Sequence, residues 1–272
     1  MPGMHISGIG RVSTIGQVSA STLGTTITGS GSANAKGSYS QLSASTPHDA
    51  QAVIIQMRTN LNGMTALVDF AMGASSSEVD FISGLLCQGP RGVFTYYLPI
   101  YVPKGVRISA RAQNSSSSGT IFVTMMLLEN TLSGEPSVGR VTCYGGNTGD
   151  SGATSVDPGG SANTKGSYTQ IVASTTRAHK GLMMAVNIDK NTATTSADWL
   201  YDIAVGGAGS EQIIVPDFWV NQAVSGTNAQ TPAQSPVFWL TIPASSRLAV
   251  RSQCTTTDAT DRLNDVMLIG VD

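Results

Sequence analysis

The stretch Gly31-Ser32-Ala33-Asn34-Ala35-Lys36-Gly37-Ser38-Tyr39-Ser40-Gln41-Leu42-Ser43-Ala44-Ser45-Thr46 returns as Gly160-Ser161-Ala162-Asn163-Thr164-Lys165-Gly166-Ser167-Tyr168-Thr169-Gln170-Ile171-Val172-Ala173-Ser174-Thr175. Twelve of sixteen positions are identical at a constant offset of 129. Self-similarity at fixed spacing marks a repeated structural unit and takes precedence over any local reading. The same offset aligns Gly10-Arg11-Val12 with Gly139-Arg140-Val141, so the unit begins there. Further on, Asp69-Phe70-Ala71-Met72-Gly73 answers Asp202-Ile203-Ala204-Val205-Gly206, and Ser77-Glu78 answers Ser210-Glu211, at an offset of 133. Pro103, Arg107, Arg111 and Gln113 answer Pro243, Arg247, Arg251 and Gln253 at 140. The growing offset places insertions in the second copy near 190–196 and 225–236. The chain therefore divides into an N-terminal peptide (1–9), a first copy (10–138) and a second copy (139–272), with the boundary near 136–138.

Within each copy apolar residues alternate with small polar ones, the period of a half-buried strand. Leu98, Ile100 and Val102 share one face, as do Val106, Ile108 and Ala110 beyond the Pro103-Lys104-Gly105 turn. Phe238, Leu240, Ile242, Leu248 and Val250 are their counterparts. Strands are predicted at 11–15, 37–44, 52–57, 66–72, 79–82, 95–102, 106–113 and 120–128, separated by Gly, Pro, Asn and Ser clusters that favour turns. About eight short antiparallel strands per copy predict an all-β chain of two tandem jelly-roll-like sandwiches. An immunoglobulin-like sandwich is the alternative, but it lacks its Cys…Trp…Cys spacing.

Composition excludes several function classes. Charged residues are 12% of the chain, about half the usual share. The 40% hydrophobic content argues against disorder. A net charge of −2 implies no broad basic face, so nucleic acid is not an expected partner. Cys87, Cys143 and Cys254 are too few and too scattered for a disulfide framework or a zinc site. No long apolar run predicts a spanning helix, and the start of the chain has no signal-peptide pattern, so synthesis in the cytoplasm is expected.

Gly149-Asp150-Ser151-Gly152 is the tetrapeptide that surrounds a serine-protease nucleophile, but a nucleophilic serine needs a positioned histidine. None of His5, His48 and His179 stands in a recognisable active-site context, and no catalytic residue is assigned. Asp69 with Glu78, and Asp202 with Glu211, recur in both copies, and paired carboxylates are the groups that serve glycoside hydrolysis or bind calcium. Asp69 lies between Val68 and Phe70 and is expected to face outward, so a cross-strand ion pair or turn hydrogen bond is the better reading. Asp258, Asp261 and Asp265 match no calcium loop, and neither metal nor cofactor is expected.

Arg107 and Arg111, like Arg247 and Arg251, share one strand face. They read either as a subunit or anionic-sugar contact or as partners of Asp69 and Asp202 on a neighbouring strand. All three tryptophans lie in the second copy. Trp199 is in phase with the core row. Trp239, standing for Pro99, is out of phase, and Trp219, standing for Leu86, is expected near a strand end or loop. Exposed aromatics anchor sugars and protein partners. The candidate ligand-binding residues are therefore Trp219, Trp239, Arg247 and Arg251, with packing between the two sandwiches as the competing role for the tryptophans.

The Ser-Ala-Asn-X-Lys-Gly-Ser-Tyr segments, the stretch Asp202-Ile203-Ala204-Val205-Gly206-Gly207-Ala208-Gly209-Ser210-Glu211 and the Leu240-Thr241-Ile242-Pro243-Ala244 strand and turn resemble a module of virion proteins from tailed bacteriophages and gene transfer agents. The resemblance covers most of both copies as a pattern and carries no catalytic residue. It implies a β-sandwich that decorates a capsid, forms a head spike or fibre, or contacts host surface polysaccharide. The resulting expectation is a non-enzymatic virion component, oligomeric, with other virion proteins and host glycans as partners and no membrane insertion. A tandem carbohydrate-binding module is the alternative.

Overall fold

A computed structural model describes residues 10–16, 24–61, 63–88, 93–129, 139–188, 197–222, 224–225, 228–229, 233–256 and 263–272. The N-terminal peptide, the boundary at 136–138, the insertion at 190–196, part of that at 225–236, and His5, Asp258 and Asp261 lie outside the described residues.

Alternation sets the strands of the first copy: β1 (Val12–Ile15), β2 (Thr25–Thr28), β3 (Ser40–Ser43), β4 (Ala52–Thr59), β5 (Thr65–Met72), β6 (Val79–Gln88), β7 (Phe94–Leu98), β8 (Ile108–Asn114) and β9 (Thr120–Leu128). In β9, Ile121, Val123, Met125 and Leu127 point inward and their neighbours outward, as the two-residue period of a pleated strand demands. The second copy supplies β10 (Val141–Tyr144), β11 (Thr154–Val156), β12 (Thr169–Val172), β13 (Gly181–Ile188), β14 (Ala197–Val205), β15 (Gln212–Gln222), β16 (Val224–Ser225), β17 (Asn228–Ala229), β18 (Ala233–Gln234), β19 (Leu248–Cys254) and β20 (Asn264–Val271).

The first copy folds into sheets of order β1-β9-β4-β7, with β2 also on β9, and β3-β8-β5-β6. The second repeats this as β10-β20-β13-β18, with β11 on β20, and β12-β19-β14-β15. Every pairing is antiparallel. Interleaving early and late strands in one sheet is the jelly-roll arrangement, so the two-sandwich expectation holds. The duplication extends to irregularities: a register shift between Gln41 and Ser43 recurs between Gln170 and Val172, and one between Val68 and Phe70 recurs between Tyr201 and Ile203. Among the described strands, the pairing without a counterpart is the small β16–β17 hairpin, at the start of the predicted insertion.

The cores are not separate. Leu182, Met184, Val186, Val266 and Leu268 fill the second sandwich. On the opposite face of the same sheet, Met183, Ala185, Met267, Ile269 and Val271 join the core of the first. That sheet is buried on both faces, which is why β13 and β20 read as almost unbroken apolar runs where β4 and β9 alternate. Strand β6 packs on β10 and β7 on β18, so the second copy closes the edge of the first sandwich between β6 and β7.

Candidate functional site

The recurring polar residues build one device twice, on the outer face of each sheet that carries β5 or β14. Asp69 faces away from the sandwich interior, as its position on β5 predicts, yet it is almost fully buried, because its neighbours close over it. Lys36 Nζ reaches its Oδ2 at 2.6 Å, Arg111 Nε donates to the same oxygen at 2.9 Å, and the Gly84 amide donates to Oδ1 at 2.8 Å. In the second copy Lys165 Nζ (2.8 Å) and the Asp217 amide (3.0 Å) donate to Asp202 Oδ1, and Arg251 Nε (2.9 Å) to Oδ2. Burial works to raise the Asp202 carboxyl, but the Asp217 amide, Lys165 and Arg251 outweigh it and hold it below the usual carboxylate range.

The signature segment is the lid of this device. Asn34 and Asn163 take left-handed backbone at φ 58° and 56°, a conformation asparagine tolerates. Their amides donate to Asn114 O and Cys254 O. That turn delivers the lysine to the buried aspartate. The glycine that follows crosses a neighbouring backbone so closely that a Cβ at Gly166 would lie 2.7 Å from Asp157 O. Tyr39 then stacks against the Arg111 guanidinium at 4.5 Å, and Tyr168 against Arg251 at 4.7 Å.

Glu78 and Glu211 do not join the aspartates. Arg107 Nη1 donates to Glu78 at 2.9 Å and to the Gly73 carbonyl at 3.2 Å, while its Nε reaches Gln41. Arg247 does the same with Glu211 (3.0 Å), the Gly206 carbonyl (3.0 Å) and Gln170. Each of these four carboxylates is met by an arginine, Arg111 also reaching Asp80, and in neither copy does the aspartate share its arginine with the glutamate. Among the described residues no cluster of three His, Cys, Asp or Glu side chains is placed to hold a metal ion. Candidates Arg247 and Arg251 thus sit on the outer face but spend their hydrogen bonds within the chain.

The Gly149-Asp150-Ser151-Gly152 tetrapeptide plugs the outer face of the first copy. The Ser151 hydroxyl, fully buried, donates to Asn34 Oδ1 at 2.8 Å and accepts from Gln113 Nε2 at 3.2 Å. His48 bonds Ser13 and the Asp49 carbonyl, and His179 bonds Tyr144 and Asp272, so neither serves Ser151 as a base.

The tryptophans separate. Trp199 is buried in the second core, as its phase predicts. Trp219 is not at a strand end or loop: it lies within β15 opposite Leu200 and is 66% exposed. The strand outruns the expectation because the left-handed Asp217 (φ 49°) absorbs a register shift and lets pairing resume. Trp219 Nε1 donates to Asp198 Oδ1 at 3.0 Å, and Asn221 donates to the same oxygen at 2.7 Å, fixing the indole against the surface. With Asn163, Leu200, Gln253 and Cys254 it lines an open depression of about 400 Å³. Trp239, 41% exposed, belongs to the other sheet, on the side of Gly181 and Val237 that faces the first copy. The four candidates therefore form no single site. Sequence reasoning missed Asp198, Leu200 and Asn163, although Asp198 in the place of Thr65 is visible once the copies are aligned.

No family model and no curated protein matches the chain. Among solved structures it is similar to PNGF-II, at a TM-score of 0.42 and 9% identity over 96% of this chain and 65% of that one, so it spans about two thirds of that protein's length. It is also similar to the cowpea mosaic virus top component, naturally occurring empty particles (TM-score 0.32, 13% identity, 83% and 78% covered). A third likeness is to the tandem CBM22-1-CBM22-2 domain from Paenibacillus barcinonensis Xyn10C (TM-score 0.25, 10% identity, 97% and 91% covered). At such scores none of these bears on function.

Proposed function

We propose that the chain is a non-catalytic structural component of a virion surface, of the head-spike, fibre or capsid-decoration type, working through exposed faces in contact with other virion proteins and host surface glycans. One observation carries the non-catalytic part: in both copies the recurring charged residues neutralise one another, Asp69 with Lys36 and Arg111, Glu78 with Arg107, and likewise in the second copy. What the duplication preserves is scaffold. Among the residues that distinguish the copies, Trp219 and Ile213 are exposed on the outer face of the second, and Trp239 is exposed on the side that faces the first. The resemblance of the signature segments to phage and gene-transfer-agent virion modules supplies the place. The test is to purify particles from producing cells on a density gradient and follow this chain by mass spectrometry. It is expected to co-migrate with the capsid protein, and its confinement to the particle-free fractions would sink the reading.

A second reading, a tandem glycan-binding module, draws on the two exposed indoles. Binding of the full chain to a glycan array, weakened about tenfold or more by Trp239→Ala or Trp219→Ala, would favour it. Unchanged binding in both variants would remove it.

A further inference from the structure

The first copy shows which chemistry its outer face takes up, because a turn of the second copy lies on it. On that face Leu86, Leu67 and Gln113 stand side by side across β6, β5 and β8, and all three are buried. The Ser151 hydroxyl is held there between two side-chain amides. It donates to Asn34 Oδ1 at 2.8 Å and accepts from Gln113 Nε2 at 3.2 Å. Beside it, Thr65 Oγ1 donates to the Asp150 carbonyl at 3.0 Å. The second copy repeats the row as Trp219, Leu200 and Gln253 across β15, β14 and β19, with Asn163 in the place of Asn34. Here the row is turned to solvent: Trp219 and Asn163 are exposed, Leu200 and Gln253 half-exposed. The side-chain amides of Asn163 and Gln253 make no hydrogen bond to any described residue, whereas their counterparts share one hydroxyl.

Two substitutions give the second face a different appetite. Asp198 stands in the place of Thr65. An ionised carboxylate only accepts hydrogen bonds, so a group lying where the Asp150 carbonyl lies in the first copy has to be a donor. Asp198 Oδ1 already takes Trp219 Nε1 and Asn221 Nδ2, while Oδ2 is bonded to no described residue. Trp219 stands in the place of Leu86 and widens the apolar part of the row into a flat indole, whose edge that same bond fixes. Among the described residues lining this depression of about 400 Å³, Asp198 is the one that carries a charge.

We infer that this depression binds a neutral sugar. Asn163 and Gln253 take one of its hydroxyls as acceptor and donor, as Asn34 and Gln113 take Ser151. Asp198 accepts from a second hydroxyl, and the C–H face of the ring lies on Trp219 and Leu200. A pyranose offers what the site asks for: hydroxyls that donate and accept at once, on a ring with an apolar face. A turn like the one that covers the first copy would set a carbonyl against Asp198, and an anionic sugar would bring a second negative charge to it. The inference rests on the glycan-contacting part of the proposed function and names its site and its ligand class.

The experiment presents the full chain to an array of neutral oligosaccharides and their sialylated counterparts. Binding to neutral members is expected, and weaker binding to the sialylated ones. Trp219→Ala, Gln253→Leu, Asn163→Gly and Asp198→Thr each reduce it by about tenfold or more. Glycine keeps the left-handed backbone of position 163 while removing the amide, and threonine restores the residue of the first copy. An unchanged melting curve shows that each variant folds. Binding that survives all four substitutions but is lost in Trp239→Ala overturns the inference and leaves the glycan reading standing, with the sugar on the other sheet. A profile led by sialylated glycans overturns it as well. An array that stays blank removes this site and the glycan contact together. If Trp219→Ala then abolishes a self-association seen in sedimentation velocity, the depression is a protein contact instead. None of these outcomes touches co-migration with the capsid protein, which decides the place in the virion separately.

Discussion

Asp69 shows how one residue fixes the meaning of a whole sequence motif. A carboxylate cut off from water is costly unless charge and hydrogen bonds replace its hydration, and the chain supplies an ammonium, a guanidinium and a backbone amide for it. The Lys-Gly-Ser-Tyr segment has to come back over the sheet to close this arrangement, so its identity between copies is dictated by the aspartate beneath. Removing that aspartate takes the counter-charge from Lys36, leaves Arg111 with Asp80 alone and leaves the Gly84 amide without its acceptor. Asp69→Ala is expected to destabilise the chain by about 3 kcal/mol, read as a lower urea midpoint with an unchanged denaturant slope. A midpoint within error of the wild type would mean that the buried cluster contributes nothing. Alternation revealed that Asp69 points outward. Its burial was not legible, because that depends on a lysine 33 residues away.

At the scale of strands, legibility followed the strength of alternation. The predicted strand at 120–128 coincides with β9, where every second residue is a large hydrophobe. Thr25–Thr28 was missed, since Thr-Thr-Ile-Thr carries one apolar side chain. The prediction for 79–82 stopped at Ser83-Gly84, a turn signal, yet β6 runs on to Gln88 because Gly84, at φ 71°, absorbs a register shift instead of ending the strand. On the outer faces of these strands the acidic side chains link stability to pH. Burial pulls Glu78 upward, but backbone amides and Arg107 prevail and leave it below its ordinary range; Glu211 is lowered by its own backbone amide and by Arg247; Asp202 is lowered as described. In the unfolded chain these groups take up protons near pH 4, while in the folded chain they resist until lower pH. The stabilisation is complete above the ordinary carboxylate range and is lost as pH falls through the depressed native values. Urea midpoints should therefore fall between about pH 6 and about pH 3, and Glu211→Gln should flatten part of that slope. A midpoint constant over the range contradicts the linkage.

At the scale of the molecule, the duplication looks in sequence like two independent domains, and the packing makes them one. Sequence periodicity cannot distinguish a sheet buried by its own sandwich from one buried on both faces. The signal lay in β13 and β20, whose apolar runs leave no polar face for solvent. Because Met267, Ile269 and Val271 complete the first core, separating the copies would expose apolar surface on both, and the chain should unfold in one cooperative transition. Met267→Ala removes a fully buried side chain from that shared core and should cost about 2–5 kcal/mol, shifting the whole transition instead of splitting it. Cys143 gives an independent probe from the same contact: desolvation, with the Asp69 carboxylate adding, pushes its thiol up to about 12. A thiolate is the reactive form, so Cys143 should react with a disulfide reagent at neutral pH only as fast as the chain opens. Its labelling and the loss of β-sheet signal should then follow the same urea curve. Labelling of Cys143 well before that loss would show that the second copy lifts away from the first while both stay folded, and that the shared core does not hold them together.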